Sequence, residues 1–345
     1  MLSKNTIDVA YGDGVKAFLP LHLQEVINPN QSPVWCDTSS PSFERACDQA
    51  EKGVLVLLKG DYQILLEDAF REFKGSVTQL RVMTQTPRRV ALLCSSDLPL
   101  ELEGAPRING ITHTSMIPLD WFKDFYLLSL AKFADLQLRS IYEKNGYQVL
   151  GLPKPLGIKF GVFVPDGDLI RTFLDVVDSL KGSGEDDFSG KAICDIFSGS
   201  GVFGFLGGYL GARNVQFVDI DNLANSCVAD NILQLSPPFE TSLCRANVFP
   251  ENKIKVDTIV ANPPWKDVYR LREFSNQFSD PGGQILKRFF TGIKDYLNPR
   301  GVVYLFYEKA GRHLIFERAT DFQIEEYPVP TSGAARHLFR LQLKS

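Results

Sequence analysis

The second half of the chain alternates apolar strand-like segments with amphipathic helical segments, and this alternation limits the folds available to it. Strands are predicted at residues 192–197, 215–218, 241–246, 256–261 and 302–306, with helices at 169–180, 202–210, 223–233 and 283–296. Helices between successive strands favour a parallel sheet. Only residues 328–335 separate the last two predicted strands, 323–327 and 337–343, which is too short for a crossover. We therefore expect an α/β fold with a doubly wound, seven-stranded sheet that ends in an antiparallel hairpin.

The first part of the chain predicts a smaller unit of the same kind. Residues 53–58, 80–83 and 89–94 are predicted strands, and residues 63–73 and 119–142 are predicted helices. The segment 151–157, Gly-Leu-Pro-Lys-Pro-Leu-Gly, then interrupts the pattern. We place a domain boundary there, with a smaller N-terminal α/β domain at residues 1–150 and a second domain at residues 151–345.

Composition excludes several classes of protein. The hydrophobic fraction of 44% is typical of a globular protein, and no uninterrupted apolar run reaches the roughly 18 residues of a membrane span. The N-terminus lacks the apolar segment of a secretory signal. Six cysteines are scattered without a Cys-x-x-Cys pair, so we expect reduced thiols, no metal site and a cytoplasmic location. A net charge of −4 argues mildly against nucleic acid as the partner, without excluding it.

The motif Asn-Pro-Pro-Trp follows the predicted strand 256–261, where such a strand leaves its sheet. Ligands of open α/β sheets bind at the carboxyl ends of the strands. The side-chain oxygen of Asn262 and the carbonyl of Pro263 are two acceptors for an NH2 group, and the prolines stiffen the backbone that carries them. Trp265 offers a face on which a planar substrate can stack. These residues are the predicted catalytic group, with no general base assigned.

A glycine-rich turn lies at the end of the predicted strand 192–197. Gly199 and Gly201 begin the pattern Gly-x-Gly-x-x-Gly, and acidic residues follow 20 positions later, as in nicotinamide-dependent dehydrogenases. However, Asp195 stands four residues before Gly199, where a carboxylate can face a cationic amino group. A dehydrogenase also has no need for Asn-Pro-Pro-Trp. We therefore keep a nicotinamide-dependent dehydrogenase only as an alternative hypothesis.

These motifs resemble those of class I S-adenosylmethionine-dependent methyltransferases, which have a Rossmann-like fold. The resemblance covers residues 157–345 and implies S-adenosyl-L-methionine as the cofactor, with no metal ion. It also implies the roles of the cofactor-binding residues. The glycine turn approaches the methionine part of the cofactor, and Asp219, or else Asp221, binds the ribose. Asn247, the residue after the third strand, reaches the adenine amino group. The full set of implied cofactor-binding residues is Asp195, Phe197, Gly199, Gly201, Asp219, Asp221, Asn247 and Asn262. An alternative for Asp221 is the N-cap of the helix predicted from residue 223.

Two groups within this family share further features with the chain. Two-domain ribosomal RNA guanine-N2 methyltransferases have similar stretches at residues 161–163, 247–249 and 262–264, whereas residues 164–168 are similar to protein-glutamine methyltransferases. The first resemblance implies methylation of a nucleobase nitrogen in RNA, with an N-terminal domain that is a degenerate copy or recognises the substrate. The alternative is a nitrogen of a small metabolite or a protein glutamine, with that domain as a lid. A non-catalytic cofactor-binding scaffold is a third hypothesis.

Overall fold

A computed structural model describes residues 6–28, 30–39, 41–73, 75–108, 124–264, 280–330 and 336–344. The chain divides into two compact units, Met1–Ile141 and Tyr142–Ser345. This division falls within a helix, nine residues before the boundary that the sequence predicts at residue 150. No helix in the described ranges has the length and apolar character needed to span a membrane.

The N-terminal unit contains a mixed sheet in which the strands follow the order β1-β2-β8-β5-β4-β3. Its strands are β1 (Thr6–Val9), β2 (Val15–Phe18), β3 (Val34–Asp37), β4 (Val56–Asp61), β5 (Val90–Ser95), β6 (Leu98–Pro99), β7 (Leu102–Glu103) and β8 (Tyr126–Ser129). Its helices are α1 (Leu21–Gln24), α2 (Ser42–Glu51), α3 (Tyr62–Ile64, followed by a π-helical turn at Leu65–Ala69), α4 (Ser76–Met83) and α5 (Leu130–Asn145). Strands β3, β4 and β5 are parallel.

Three predictions for this unit were wrong in type or extent. The predicted strand 80–83 lies in helix α4, where Leu80 and Met83 are buried three positions apart on one helical face. The first residues of the predicted helix 119–142 lie outside the described ranges. Within this prediction, the segment Tyr126–Ser129 forms strand β8, in which every residue is buried. The predicted helix 63–73 is reduced to α3 and its π-helical turn. Short apolar runs fit a strand and a buried helix equally well, which explains these errors.

The C-terminal unit confirms the predicted seven-stranded sheet. Its strands follow the order β11-β10-β9-β12-β13-β15-β14, and β15 runs antiparallel to both neighbours, whereas the other pairings are parallel. The strands are β9 (Ala192–Ile196), β10 (Asn214–Asp219), β11 (Glu240–Arg245), β12 (Val256–Ala261), β13 (Leu297–Glu308), β14 (Phe322–Val329) and β15 (Arg336–Leu343). The helices are α6 (Gly167–Gly182), α7 (Val202–Tyr209), α8 (Asn222–Leu235), α9 (Gln284–Gly292) and α10 (Arg312–Arg318). Single turns of 3-10 helix lie at Pro281–Gly283, Ile293–Tyr296 and Lys309–Gly311.

Two apolar clusters enclose this sheet, one on each face. Phe173 of α6 packs edge-on against Phe203 and Tyr304 on one face. On the other face, Phe289 of α9 is fully buried against strands β12 and β13. All five residues of β9 are buried. The chain leaves β9 on one side and returns on its other side as β12, so the carboxyl ends of these two strands form the switch point where ligands of such sheets bind.

Candidate functional site

A cavity of about 320 Å³ opens at this switch point. Its wall combines six of the residues that the sequence predicts for the site with residues from three other segments. The complete lining is Val162, Phe163, Phe197, Gly199, Val218, Asp219, Ile220, Asp221, Ala224, Ala246, Asn247, Val248, Asn262, Pro264, Ile285 and Arg288. Its size lies within the usual range for a small-molecule site, about 300–1,000 Å³.

The glycine-rich turn forms one wall of the cavity. Gly199 lies there with a φ of 52°, and its N–H donates to Asp219 Oδ2 over 2.9 Å. Gly201, with a φ of 80°, stands outside the lining as the residue that precedes helix α7. A Cβ at Gly201 would come within 2.9 Å of the Phe205 ring and 3.0 Å of Val228. Gly199 is therefore placed to face a ligand, whereas Gly201 allows the helix to pack closely against its surroundings.

Asp195 does not line the cavity. Its side chain is buried, and Oδ2 accepts the N–H of Gly204 in the first turn of α7 over 2.8 Å. Burial raises the pKa of the Asp195 carboxyl well above its usual value, and the neighbouring Asp219 raises it further. The structure thus places this carboxylate beneath the turn, where it contacts the start of α7. Its predicted contact with a cofactor amino group stays a prediction.

The two acidic residues after β10 have different partners. Asp219 accepts the N–H of Gly199 on Oδ2 and the N–H of Asp221 on Oδ1, each over 2.9 Å. Burial raises the pKa of the Asp219 carboxyl, although these backbone bonds oppose that effect. Asp221 accepts the N–H of Leu223 and so caps helix α8, which is the alternative role considered from the sequence. Each Asp219 oxygen keeps acceptor capacity for a ligand hydroxyl.

Asn247 and Val248 form the part of the wall that follows β11. Asn247 Oδ1 accepts a hydrogen bond from Arg288 Nη1 of helix α9 over 2.6 Å. Val248 is buried and has a φ of 78°, a conformation that β-branched residues rarely adopt. Such strain persists only where the surrounding structure enforces it, and it concentrates at functional sites.

Asn262 follows the last residue of β12 and lies beside the end of β9, since Ala261 pairs with Ile196. Its Oδ1 atom is shielded from solvent and has no hydrogen-bond partner among the described residues. Pro263 and Pro264 are buried, and Pro264 also lines the cavity. A buried acceptor without a partner costs about 1–3 kcal/mol, so it calls for an explanation such as a ligand. Trp265 lies outside the described residues.

The wall also contains residues to which the sequence analysis assigns no role in the site, among them Val162, Phe163, Ile285 and Arg288. The segment that carries Val162 and Phe163 is held by Asn231, whose side chain accepts from the N–H of Gly157 over 2.8 Å and donates to its carbonyl over 3.0 Å. These contacts join positions that are 74 residues apart, and no local pattern in the sequence signals them. Within the described part of the chain, no cluster of histidine, cysteine and acidic residues could hold a metal ion.

The chain is similar to known methyltransferases. A release factor glutamine methyltransferase from Clostridium botulinum is 27% identical over 125 residues, which cover 34% of this chain and 42% of that protein, so the chain spans less than half the length of this curated relative. No family model matches the chain.

Solved methyltransferase structures also match the chain. A ribosomal protein L11 methylase from Lactobacillus delbrueckii subsp. bulgaricus is 17% identical with a TM-score of 0.40, covering 52% of this chain and 81% of that one. A methyltransferase from Pyrococcus furiosus is 16% identical with a TM-score of 0.46, covering 61% of this chain and 98% of that one. The sequence similarity to the glutamine methyltransferase confirms the resemblance to methyltransferases that the motifs predict.

Proposed function

We propose that this chain is an S-adenosyl-L-methionine-dependent N-methyltransferase that acts on a planar NH2 group. The observation that carries the proposal is the Asn262 Oδ1 atom, which is shielded from solvent and has no partner within the described ranges. It lies in the same wall as the glycine turn and Asp219. An acceptor held in this way favours a ligand that brings its own N–H donor. A hydroxyl-bearing nucleoside cofactor fits the adjoining acidic wall.

The cofactor supplies a methyl group bonded to a positively charged sulfur. The residues present fit the rest of the molecule. Asp219 and Asp221 are the acceptors for the ribose hydroxyls, and Asn247 and Val248 form the wall for the base. Phe197 and Gly199 border the methionine part. The buried Asp195 adds negative charge beneath the turn when it is ionised, which favours a cationic ligand.

Asn262 and Pro263 position the acceptor nitrogen. An aryl amine or carboxamide nitrogen is a weak nucleophile because its lone pair is delocalised. Two acceptors that hold its hydrogens fix the orientation of the nitrogen, and the two prolines keep these acceptors preorganised. The proton leaves after the nitrogen has become cationic, so the chain needs no strong base in contact with it. Removal of one preorganised hydrogen-bonding group of this kind costs about 10²–10³ in kcat.

For the acceptor, we propose a nucleobase amine of structured RNA, as in the ribosomal RNA guanine-N2 methyltransferases that the motifs resemble, with the N-terminal unit as the part that recognises the RNA. A second candidate is the side-chain amide of a protein glutamine. It is favoured by the 27% identity with a release factor glutamine methyltransferase. Both acceptors present a planar NH2 group to Asn262.

The test measures transfer of labelled methyl groups from S-adenosyl-L-methionine to total RNA and, separately, to translation release factors. Asn262→Ala should lower the rate by about 10²–10³ and leave calorimetric binding of S-adenosylhomocysteine within about threefold. Asn252→Ala, at an exposed asparagine outside the cavity, is the matched control. Unchanged turnover in Asn262→Ala would refute the role of this residue. If the label is transferred to a release factor and not to RNA, the glutamine side chain is the acceptor.

A further inference from the structure

The cavity wall contains a polar pair, Asn247 and Arg288, that the methyl transfer itself does not use. Arg288 Nη1 donates to Asn247 Oδ1 over 2.6 Å, and both residues line the cavity. A guanidinium has only donors and stays protonated, so the amide atom that faces it must be the oxygen. The NH2 group of Asn247 therefore points away from Arg288 as a donor.

The backbone on both sides of this pair is fixed by stacked aromatic rings. Phe249, two residues after Asn247, stacks on Phe289, the residue after Arg288, with ring centroids 5.7 Å apart and planes inclined by 14°. Tyr296 also stacks on Phe249, with centroids 4.5 Å apart. Phe289 is fully buried. The stacked rings thus hold the backbone from which the two exposed polar side chains extend toward each other.

We propose that Arg288 is a positioning residue that fixes the Asn247 amide, so that the site recognises the ring acceptor N1 of adenine and not its exocyclic amine. The inference rests on the proposed function, which puts adenine at this wall. A carboxylate at position 247 would accept a hydrogen bond from the amine. An amide whose oxygen is occupied by Arg288 instead donates to the neighbouring ring nitrogen.

The experiment measures calorimetric affinities for S-adenosylhomocysteine and two analogues, one without the 6-amino group and one with carbon in place of N1. The wild-type protein should bind the N1-substituted analogue about tenfold more weakly and the 6-deamino analogue within about threefold of the parent, since one neutral hydrogen bond is lost only in the first case. Asn247→Asp should reverse this order, because its carboxylate accepts from the amine.

Arg288→Ala separates positioning from a purely structural role. With the amide free to rotate, the two analogues should bind within about threefold of each other. Lys287→Ala, on the same helix but outside the lining, should keep the wild-type order. Thermal melts confirm that each variant is folded. The inference is overturned if the 6-deamino analogue is the weaker ligand of the wild-type protein, or if Arg288→Ala keeps the wild-type selectivity. If S-adenosylhomocysteine itself does not bind, the proposed function fails as well.

Discussion

Arg340 provides the sharpest test of how the C-terminal hairpin is held to the sheet. Its side chain is 2% exposed on β15, between its register partners Tyr304 and Glu325. Nε donates to Asp187 Oδ2 over 2.9 Å, and Nη2 reaches Asp187 Oδ1 over 3.3 Å and Glu185 Oε2 over 2.7 Å. Nη1 donates to Glu325 over 2.9 Å, and the Tyr304 hydroxyl donates to Asp187 over 2.7 Å. Arg340 on β15 thus joins the segment before β9 to strand β14, and Tyr304 joins the same segment to strand β13.

The expected effect of Arg340→Met follows from the exposure of the three carboxylates. The Glu185 and Glu325 side chains are 52% and 33% exposed, so solvent screens their interactions with Arg340. Loss of each of these interactions should lower the free energy of unfolding by about 0–1 kcal/mol. The Asp187 side chain is only 12% exposed and would be left without its cation. Breaking a buried pair in this way costs about 3–5 kcal/mol. We therefore expect the loss to be of that size and to arise mainly from Asp187.

Hydrogen exchange of peptides from β13, β14 and β15 measures the local free energy of opening, and urea denaturation measures that of unfolding. Arg312→Met is the matched control, since Arg312 is 47% exposed in its pair with Glu326 and its replacement should have a much smaller effect on stability. Adding Asp187→Asn to Arg340→Met removes the unpaired charge and should recover part of the loss. A loss below about 1 kcal/mol for Arg340→Met would refute the reasoning.

Two further predictions concern the elements beneath the cavity. Asp195→Asn should stabilise the protein at neutral pH and have little effect near pH 4, because burial raises the pKa of this carboxyl. The folded state then binds more protons than the unfolded chain, and it loses stability as the pH rises above the unfolded value of about 3.9. Equal urea stabilities of variant and wild type at both pH values would contradict this. Gly204→Ala should destabilise by about 1–3 kcal/mol in thermal melts, since its Cβ would come within 2.3 Å of the Phe217 ring. Gly167→Ala, whose Cβ meets nothing within 4 Å, is the control, and a similar effect in both would exclude overpacking.

The sequence predicts the parts of the fold that depend on local patterns. The bounds 256–261 for β12 agree with the structure, because a largely apolar segment ends there at a motif that cannot extend a strand. Residues adjacent to strand ends, such as Asp219 and Asn262, were found for the same reason. The positions of Arg288 and Phe163 in the cavity wall do not follow from the sequence, because packing between distant segments brings them there. In the N-terminal unit, β8 is a short buried strand that composition cannot distinguish from the start of helix α5.

The cavity is also where this chain departs most from ordinary backbone preferences. Six non-glycine residues in the described ranges have positive φ, namely Ser96, Glu101, Phe197, Ser236, Val248 and Arg300. Only Phe197 and Val248 among them are large and apolar, and both line the cavity. Each such conformation costs about 1–3 kcal/mol. The Asn262 side-chain oxygen, which no described residue contacts by a hydrogen bond, adds a cost of similar size in the same wall. These features all lower the stability of the fold and yet occur together in one wall. A ligand whose binding offsets their cost is the simplest physical reason for this.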